Sequence, residues 1–397
     1  MEDPFPERSL FSSIPVTLLD YVLNQKHSVS VIILSDIEKK TEQYKMSAQD
    51  LHDTYHRLHP QVLSEFEEEM PKYWGRRWKA NTTIGKLNTV LLHRPGNEFL
   101  TVGQPTPWPP HESSWRAWRM MEKLNLDELV EHHENLVDAF KTEGVEVIIR
   151  KPDPWDLPYT VKSIYCDDVA HAAVYGHVIL RMYDSIRKGE ELPTYQTLAE
   201  HGIPVVGMIT GNGMVEGGPC GWLDEKHAII EVHFPRGNTR EPAVMRGNES
   251  GQNQYANIIW QQDPEVDIRM GPGYGTRKGT IHYSMVDRHT TVGEAKYYDH
   301  YLTDWMEAEM DWKFIKPPDD LVSIDTRGFA KGPDCGVVLE PGKIITSDQY
   351  PKATKWFESV GIEVVEVHID SLIRPRNSGS IHCLCGTLDR DPEPKNY

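Results

Sequence analysis

The chain has 397 residues, 39% of them hydrophobic, a formal net charge of -18 at pH 7 and five cysteines. This allows about two or three domains or one large one, and it excludes a transmembrane helix, since no apolar run approaches about 18 residues. So acidic a surface repels nucleic acid and anionic membrane and attracts small cations. The irregularly spaced cysteines point to a reducing cytoplasm rather than a disulfide framework, and the N-terminal MEDPFPERSLF lacks a secretory signal pattern.

Residues 1–86 read as an N-terminal extension. Within it, SVSVIIL (28–34) predicts a strand, and SAQDLHDTYHRLHPQVLSEFEEEM (47–70) a helix with a serine cap and an acidic face. From 87 to 397 one pattern recurs: an amphipathic helix ends at glycine and feeds a β-branched strand. It occurs in LVDAFKTEGVEVII (136–149), YQTLAEHGIPVVG (195–207) and ATKWFESVGIEVVEV (353–367). Strand–turn–strand pairs precede two of these helices, at AAVYGHVILRM (172–182) and GVVLEPGKIITS (336–347). GWLDEKHAIIEV (221–232) and SMVDRHTTVGEA (284–295) have the same form. The expectation is an α/β fold in which about five ββαβ modules form a closed, pseudo-symmetric array.

Such an array would bring four polar, glycine-rich corners to its centre. These are YCDDVAHAAVYG (165–176), GNGMVEGGPCGW (211–222), GPGYGTRKGTIHYSMVDRH (271–289) and SGSIHCLCG (378–386). They carry carboxylates, a histidine and a thiol. A thiol needs a base or an electropositive setting to act as a thiolate near neutral pH, and a histidine can serve it and shuttle a proton. Two carboxylates beside a thiol make sense if the substrate is a cation, and a guanidinium matches a carboxylate's planar fork. GNGMVEGG lacks the GxGxxG spacing of a dinucleotide loop, and in GPGYGTRKGT Lys278 is followed by glycine, unlike a phosphate loop. His227 and His233 lack partners at metal-ligand spacing, so neither cofactor nor metal is expected.

The order of these features, an Asp-bearing strand start, then EGG, then His, then a C-terminal HC, resembles the guanidine-modifying enzymes. These comprise arginine deiminase, dimethylarginine dimethylaminohydrolase, agmatine deiminase and the amidinotransferases. The resemblance runs from about Leu87 to Asp391 and opens with LNTVLLHRPGNEF (87–99). It implies the five-bladed α/β propeller called pentein. It also implies Cys383 as nucleophile, His282 as proton shuttle, and Glu216 and Asp168 as the carboxylates that hold the amidinium group.

This sequence departs from the family pattern at three places. Ser284 stands where deiminases often have an aspartate, Pro219 ends the EGG motif, and Asp167 replaces an arginine; Asp167 and Ser284 become further candidate substrate contacts. The departures argue against free L-arginine as substrate. Arg181 and Arg187 are the candidates for a substrate carboxylate anchor, with structural roles expected for both. Ser378, Gly379 and Ser380 read as clearance for a flat cation approaching Cys383. The implied activity is hydrolysis of a guanidino or amidino C–N bond through a covalent amidino-cysteine intermediate, as in deiminases, dihydrolases or dimethylarginine hydrolases. The alternatives are an amidinotransferase and a non-catalytic pentein-fold binding protein. The expected partner is a small cationic guanidino or amidino compound, with no nucleic acid or membrane partner and homo-oligomerisation left open.

Overall fold

The computed structural model describes residues 53, 65–101, 106–107, 110–111, 124–153, 162–183, 187–233, 246–273, 281–295, 298, 300–319, 321, 323–324, 330–331 and 336–394. The strand expected at 28–34 and nearly all of 47–64 lie outside these. Residues 65–397 cluster as one compact unit.

Helix α1 (Phe66–Tyr73) has Glu67, Glu68 and Glu69 in its first turn, where unpaired backbone N–H groups favour negative charge, and it buries Met70. Strand β1 (Leu87–Leu92), helix α2 (Leu126–Thr142) and strand β2 (Glu146–Ile149) follow. Asn125 caps α2 by accepting a hydrogen bond from the Asp127 N–H at 2.8 Å, and Leu129, Leu136, Val137 and Phe140 line its buried face.

Four further units repeat a hairpin, a helix and a strand. They are β3 (Ala170–Ala172), β4 (His177–Ile179), α3 (Glu191–Glu200) and β5 (Val205–Met208); then β6 (Cys220–Asp224), β7 (His227–His233), α4 (Glu249–Gln262) and β8 (Asp267–Gly273). Next come β9 (Met285–Asp287), β10 (Thr290–Val292), α5 (His300–Met310) and β11 (Lys313–Ile315); then β12 (Val337–Glu340), β13 (Lys343–Ser347), α6 (Pro351–Ser359) and β14 (Glu363–Val367). The one-turn helix α7 (Ile381–Leu384) and strand β15 (Gly386–Arg390) end the described chain.

In each repeated unit the hairpin strands pair antiparallel, and the strand after the helix runs parallel to the second of them. The parallel step needs a crossover, which the helix supplies. The helix exits explain the recurring glycines. Gly144, Gly202 and Gly361 take φ of +78°, +68° and +89°, a left-handed backbone that turns the chain from helix into strand. After α5 the same job falls to Asp311, at φ +48°.

The first sheet is assembled from both ends of this unit. Strand β1 pairs parallel with β2 and antiparallel with β15, with Leu87 opposite Arg390 and Leu91 opposite Gly386. This makes residues near 383 interior: Leu388 is fully buried, and the Arg390 guanidinium donates to the Gly85 and Val338 carbonyls at 2.6 and 2.8 Å. Among the described residues there are thus five three-stranded sheets, none closed on itself, and two two-stranded ribbons at 106–111 and 323–331.

Candidate active site

The four polar corners meet. Cys166–Asp168 form a single 3-10 turn ahead of β3, packed against α7. The backbone N–H groups of Gly217 and Gly218 donate to Asp168, to its carbonyl at 3.0 Å and its Oδ1 at 2.8 Å. A Cβ at Gly217 would lie 2.1 Å from the Asp167 carbonyl, so only glycine permits this approach. Tyr283, in a second 3-10 turn (Ile281–Ser284), donates its hydroxyl to Asp167 Oδ2 at 2.5 Å. Its ring stacks on His382 of α7 with centroids 4.4 Å apart. The His282 ring lies over Gly221, where a Cβ would be 2.3 Å from its Cγ.

The two carboxylates expected to face a cation already hold cations from the chain. Asp168 accepts from Arg187 Nη1 on one oxygen and from Arg246 Nη2 on the other. Glu216 accepts from the Tyr183 N–H at 3.0 Å, and Arg246 Nε stands 2.6 Å from its other oxygen. Arg246 therefore bridges the pair. Arg187 is held in turn by Glu190, at 2.8 and 2.9 Å, and by the Tyr165 carbonyl. Burial alone would raise the Asp168 pKa, but Arg246 and Arg187 hold its carboxyl below the usual range. For Asp167 the balance reverses: burial and the charge of Asp168 outweigh the Tyr283 hydrogen bond and the pull of Arg246 and Arg187 and push it up to about 8, so it carries a proton at neutral pH.

Cys383 is half-buried on α7, its Sγ 3.5 Å from the Ser380 hydroxyl. Burial and the Asp168 charge push its thiol up, while the Ser380 hydrogen bond and Arg246 pull it down. Burial, then His382 and His171, drive His282 well below the ordinary histidine value. Neither ring nitrogen of His282 has a hydrogen-bond partner among the described residues, so at rest a neutral thiol and a neutral imidazole occupy the cluster unjoined. Ser284 is half-buried at the end of the His282 turn, and no hydrogen bond ties its side chain to the carboxylates. Cys385 is buried, its thiol raised well above the ordinary value by burial.

One expectation changes, and the roles of two arginines become concrete. The space at Gly379 is filled by the Tyr165 ring, 2.1 Å from where a Cβ would lie, rather than kept clear for a ligand. Arg187 is buried as the partner of Asp168 and Glu190. Arg181 donates to the Gly211 and Gly213 carbonyls at 2.8 and 3.2 Å, so neither arginine is positioned as a carboxylate anchor. Arg246 and Tyr283 escaped the sequence reading. Tyr283 stood beside the histidine in the motif, whereas Arg246 had no local signal beyond the need of two buried carboxylates for a counter-charge. Among the described residues one group comes within metal-binding reach: His132, His368 and Asp370, with ligand atoms within 4.8 Å of one another. Arg376 Nη1 already stands 3.1 Å from Asp370 Oδ1, and His132 Nδ1 is engaged by Ser371.

This architecture and the convergence of its corners define the fold of the guanidine-modifying enzymes, the pentein fold. Among solved structures, DDAH (dimethylarginine dimethylaminohydrolase) from Pseudomonas aeruginosa, complexed with citrulline, matches with a TM-score of 0.53 and 17% identity. The match covers 77% of this chain and 100% of that one. An amidinotransferase of the saxitoxin biosynthetic pathway from Microseira wollei matches with a TM-score of 0.55 and 12% identity, over 81% of this chain and 99% of the other. In sequence, the chain is 23% identical over 337 residues to a 2-nitroimidazole nitrohydrolase of Mycobacterium sp. (strain JS330), covering 81% of this chain and 84% of that protein. No family model matches the chain. No helix among the described residues is long and apolar enough to cross a membrane.

Proposed function

We propose that the chain is a cysteine hydrolase acting on an amidino-type carbon, with Cys383 as nucleophile. The observation that carries this reading is the convergence of four separate chain segments that bring Cys383, His282, Asp168 and Glu216 into one buried cluster. Five units arranged as the blades of a closed propeller, with residues 1–86 as an extension, account for that convergence.

In this mechanism the Cys383 proton passes to His282, and the sulfur attacks the carbon that carries two nitrogens. The bond to the leaving group breaks, and His282 returns a proton to it where the leaving group is an amine. Water then attacks, assisted by His282, and frees the sulfur. Asp168 and Glu216, with the arginines they hold, fix the electrostatic frame around the carbon. The likeness to a nitrohydrolase supports a leaving group other than an amine, since C2 of a 2-nitroimidazole is itself a carbon between two nitrogens. The likeness to amidinotransferases supports a second reading, in which an amine replaces water in the last step. The small-molecule chemistry and acidic surface fit a cytoplasmic enzyme.

The test is a panel of guanidines, amidines and 2-nitroimidazole, with and without added amines, with mass-spectrometric detection of an adduct on Cys383. Cys383→Ser should abolish both adduct and turnover, and Cys385→Ser should retain much of each. The reversed result would assign the chemistry to Cys385, and turnover only with an added amine would establish the transferase reading.

A further inference from the structure

The carboxylate pair of this site is not open to a guanidinium in the resting structure, because the chain has put one there. Arg246 Nη2 lies on Asp168 and Nε lies 2.6 Å from Glu216, the two-sided hold that a guanidino ligand would receive. Arg187, shared with Glu190, supplies a second cation to Asp168, and Asp167 is protonated at neutral pH. Arg246 thus occupies the faces of Asp168 and Glu216 that a cation would take, while Arg187 is shared between Asp168 and Glu190. A cationic substrate would have to expel Arg246 or share buried space with it unpaired, and burying an unpaired charge is strongly unfavourable. An uncharged substrate meets no such cost.

Arg246 is also placed to act on the reaction. It is anchored on Asp168, whose 3-10 turn packs against α7, the helix that carries Cys383, and its charge lowers the Cys383 thiol. Its side chain remains 23% exposed, and its Nη1 makes no hydrogen bond to any described residue. A donor of fixed positive charge is thus left over on the guanidinium that holds Asp168 and Glu216.

Building on the reading of Cys383 as nucleophile at an amidino-type carbon, we propose that the site takes an uncharged amidine-type electrophile bearing an anionic leaving group. Arg246 sets this specificity by closing the carboxylate pair to guanidinium cations and by receiving the departing anion. The Cys383 proton goes to His282, and the sulfur forms a bond to the carbon. The bond from carbon to leaving group breaks, and its electron pair departs with the anion onto Arg246. Water then adds its oxygen to the carbon. One water proton goes to the imino nitrogen and the other to the sulfur as the S–C bond breaks. The proton held by His282 leaves with the anion, and the product is a urea-type carbonyl.

The test compares two probes of equal length on the full chain. One is an N-alkylguanidine, a cation at neutral pH; the other is the matching N-alkyl-N′-nitroguanidine, uncharged because the nitro group withdraws the basic electron pair. Wild type should consume the uncharged probe at least about tenfold faster and release the nitro-bearing fragment as an anion. Arg246→Ala should shift the ratio of the two rates by at least about tenfold toward the cation. Arg246→Lys, which keeps the charge and loses the fork, should keep the preference for the uncharged probe at a lower rate, and thermal melts confirm that each variant is folded. Faster turnover of the cation by wild type, or an unchanged ratio in folded Arg246→Ala, overturns the assignment of Arg246 while leaving Cys383 as nucleophile. If neither probe is consumed or marks Cys383, the reading of Cys383 falls and this one with it.

Discussion

Replacing Asp167 by asparagine should remove a pH-dependent weakness from the fold. The carboxyl of Asp167 titrates at about 8 in the folded protein, against an ordinary value of 3.8, because it is buried and lies beside ionised Asp168. Between those two values the folded state keeps a proton that the unfolded state releases. Stability is then fully present below about pH 4 and falls as pH rises, by about 1.4 kcal/mol per unit, until the folded form also ionises near 8. By pH 7 the accumulated cost is about 4 kcal/mol, an upper figure because real protein interiors screen more than a dry medium. Asparagine does not ionise, and its side-chain oxygen can still accept the Tyr283 hydroxyl that Asp167 accepts now. Urea denaturation of both proteins between about pH 5 and about pH 8 gives the difference directly, with titrating groups distant from Asp167 cancelling. The variant should gain on the wild type steadily with pH and be the more stable protein near pH 8. A difference that stays flat would show Asp167 ionised at neutral pH and would refute the reasoning.

Two further outcomes follow from the same cluster. In Gly221→Ala the new methyl would stand 2.3 to 2.7 Å from three atoms of the His282 ring. The ring must move, which costs about 1–3 kcal/mol by urea titration and lowers turnover by about 100-fold through misplacement of the imidazole; undiminished turnover would remove His282 from the reaction. On the acid side, burial lowers His171 and His177 to about 4 and His382 to about 3. Their folded pKa values lie below the unfolded 6.5, so the stability they confer is present above about pH 6.5 and is lost as pH falls toward 4. His177→Gln, which can keep a donor to the Thr387 carbonyl, should flatten that loss measurably in urea titrations across this window.

The repeating architecture was legible because its signals are local. Gly144, Gly202 and Gly361 each sit at the one position after a helix where a left-handed backbone is needed, and a β-branched run follows at once. The α5 exit carried no such mark, since Asp311 adopts the same conformation without being glycine. The hairpin turns at Gly176 and Gly342 were equally plain, at φ +69° and +76°. The site was legible in its chain order and less so in its charge balance. Which cation neutralises a buried carboxylate depends on contacts far apart in sequence, and Arg246 reaches Asp168 across 78 positions. In the same way, the glycine that admits the His282 ring is Gly221, on another strand pair. Close approach between distant backbone and side chain leaves no trace in the local pattern.

The pairing of β1 with β15 has a consequence for how the protein is made. Strand β1 leaves the ribosome well before its antiparallel neighbour is translated, since Leu91 waits for Gly386. At about 5–20 residues per second the interval is on the order of half a minute. Throughout it β1 presents an uncovered edge, the kind of surface on which chains pair wrongly. The same delay applies to the candidate site: α7, which carries Cys383, immediately precedes β15. The proposed nucleophile thus comes to lie among its partners only as β15 docks, and a chain that stops short of β15 is expected to be both aggregation-prone and inert.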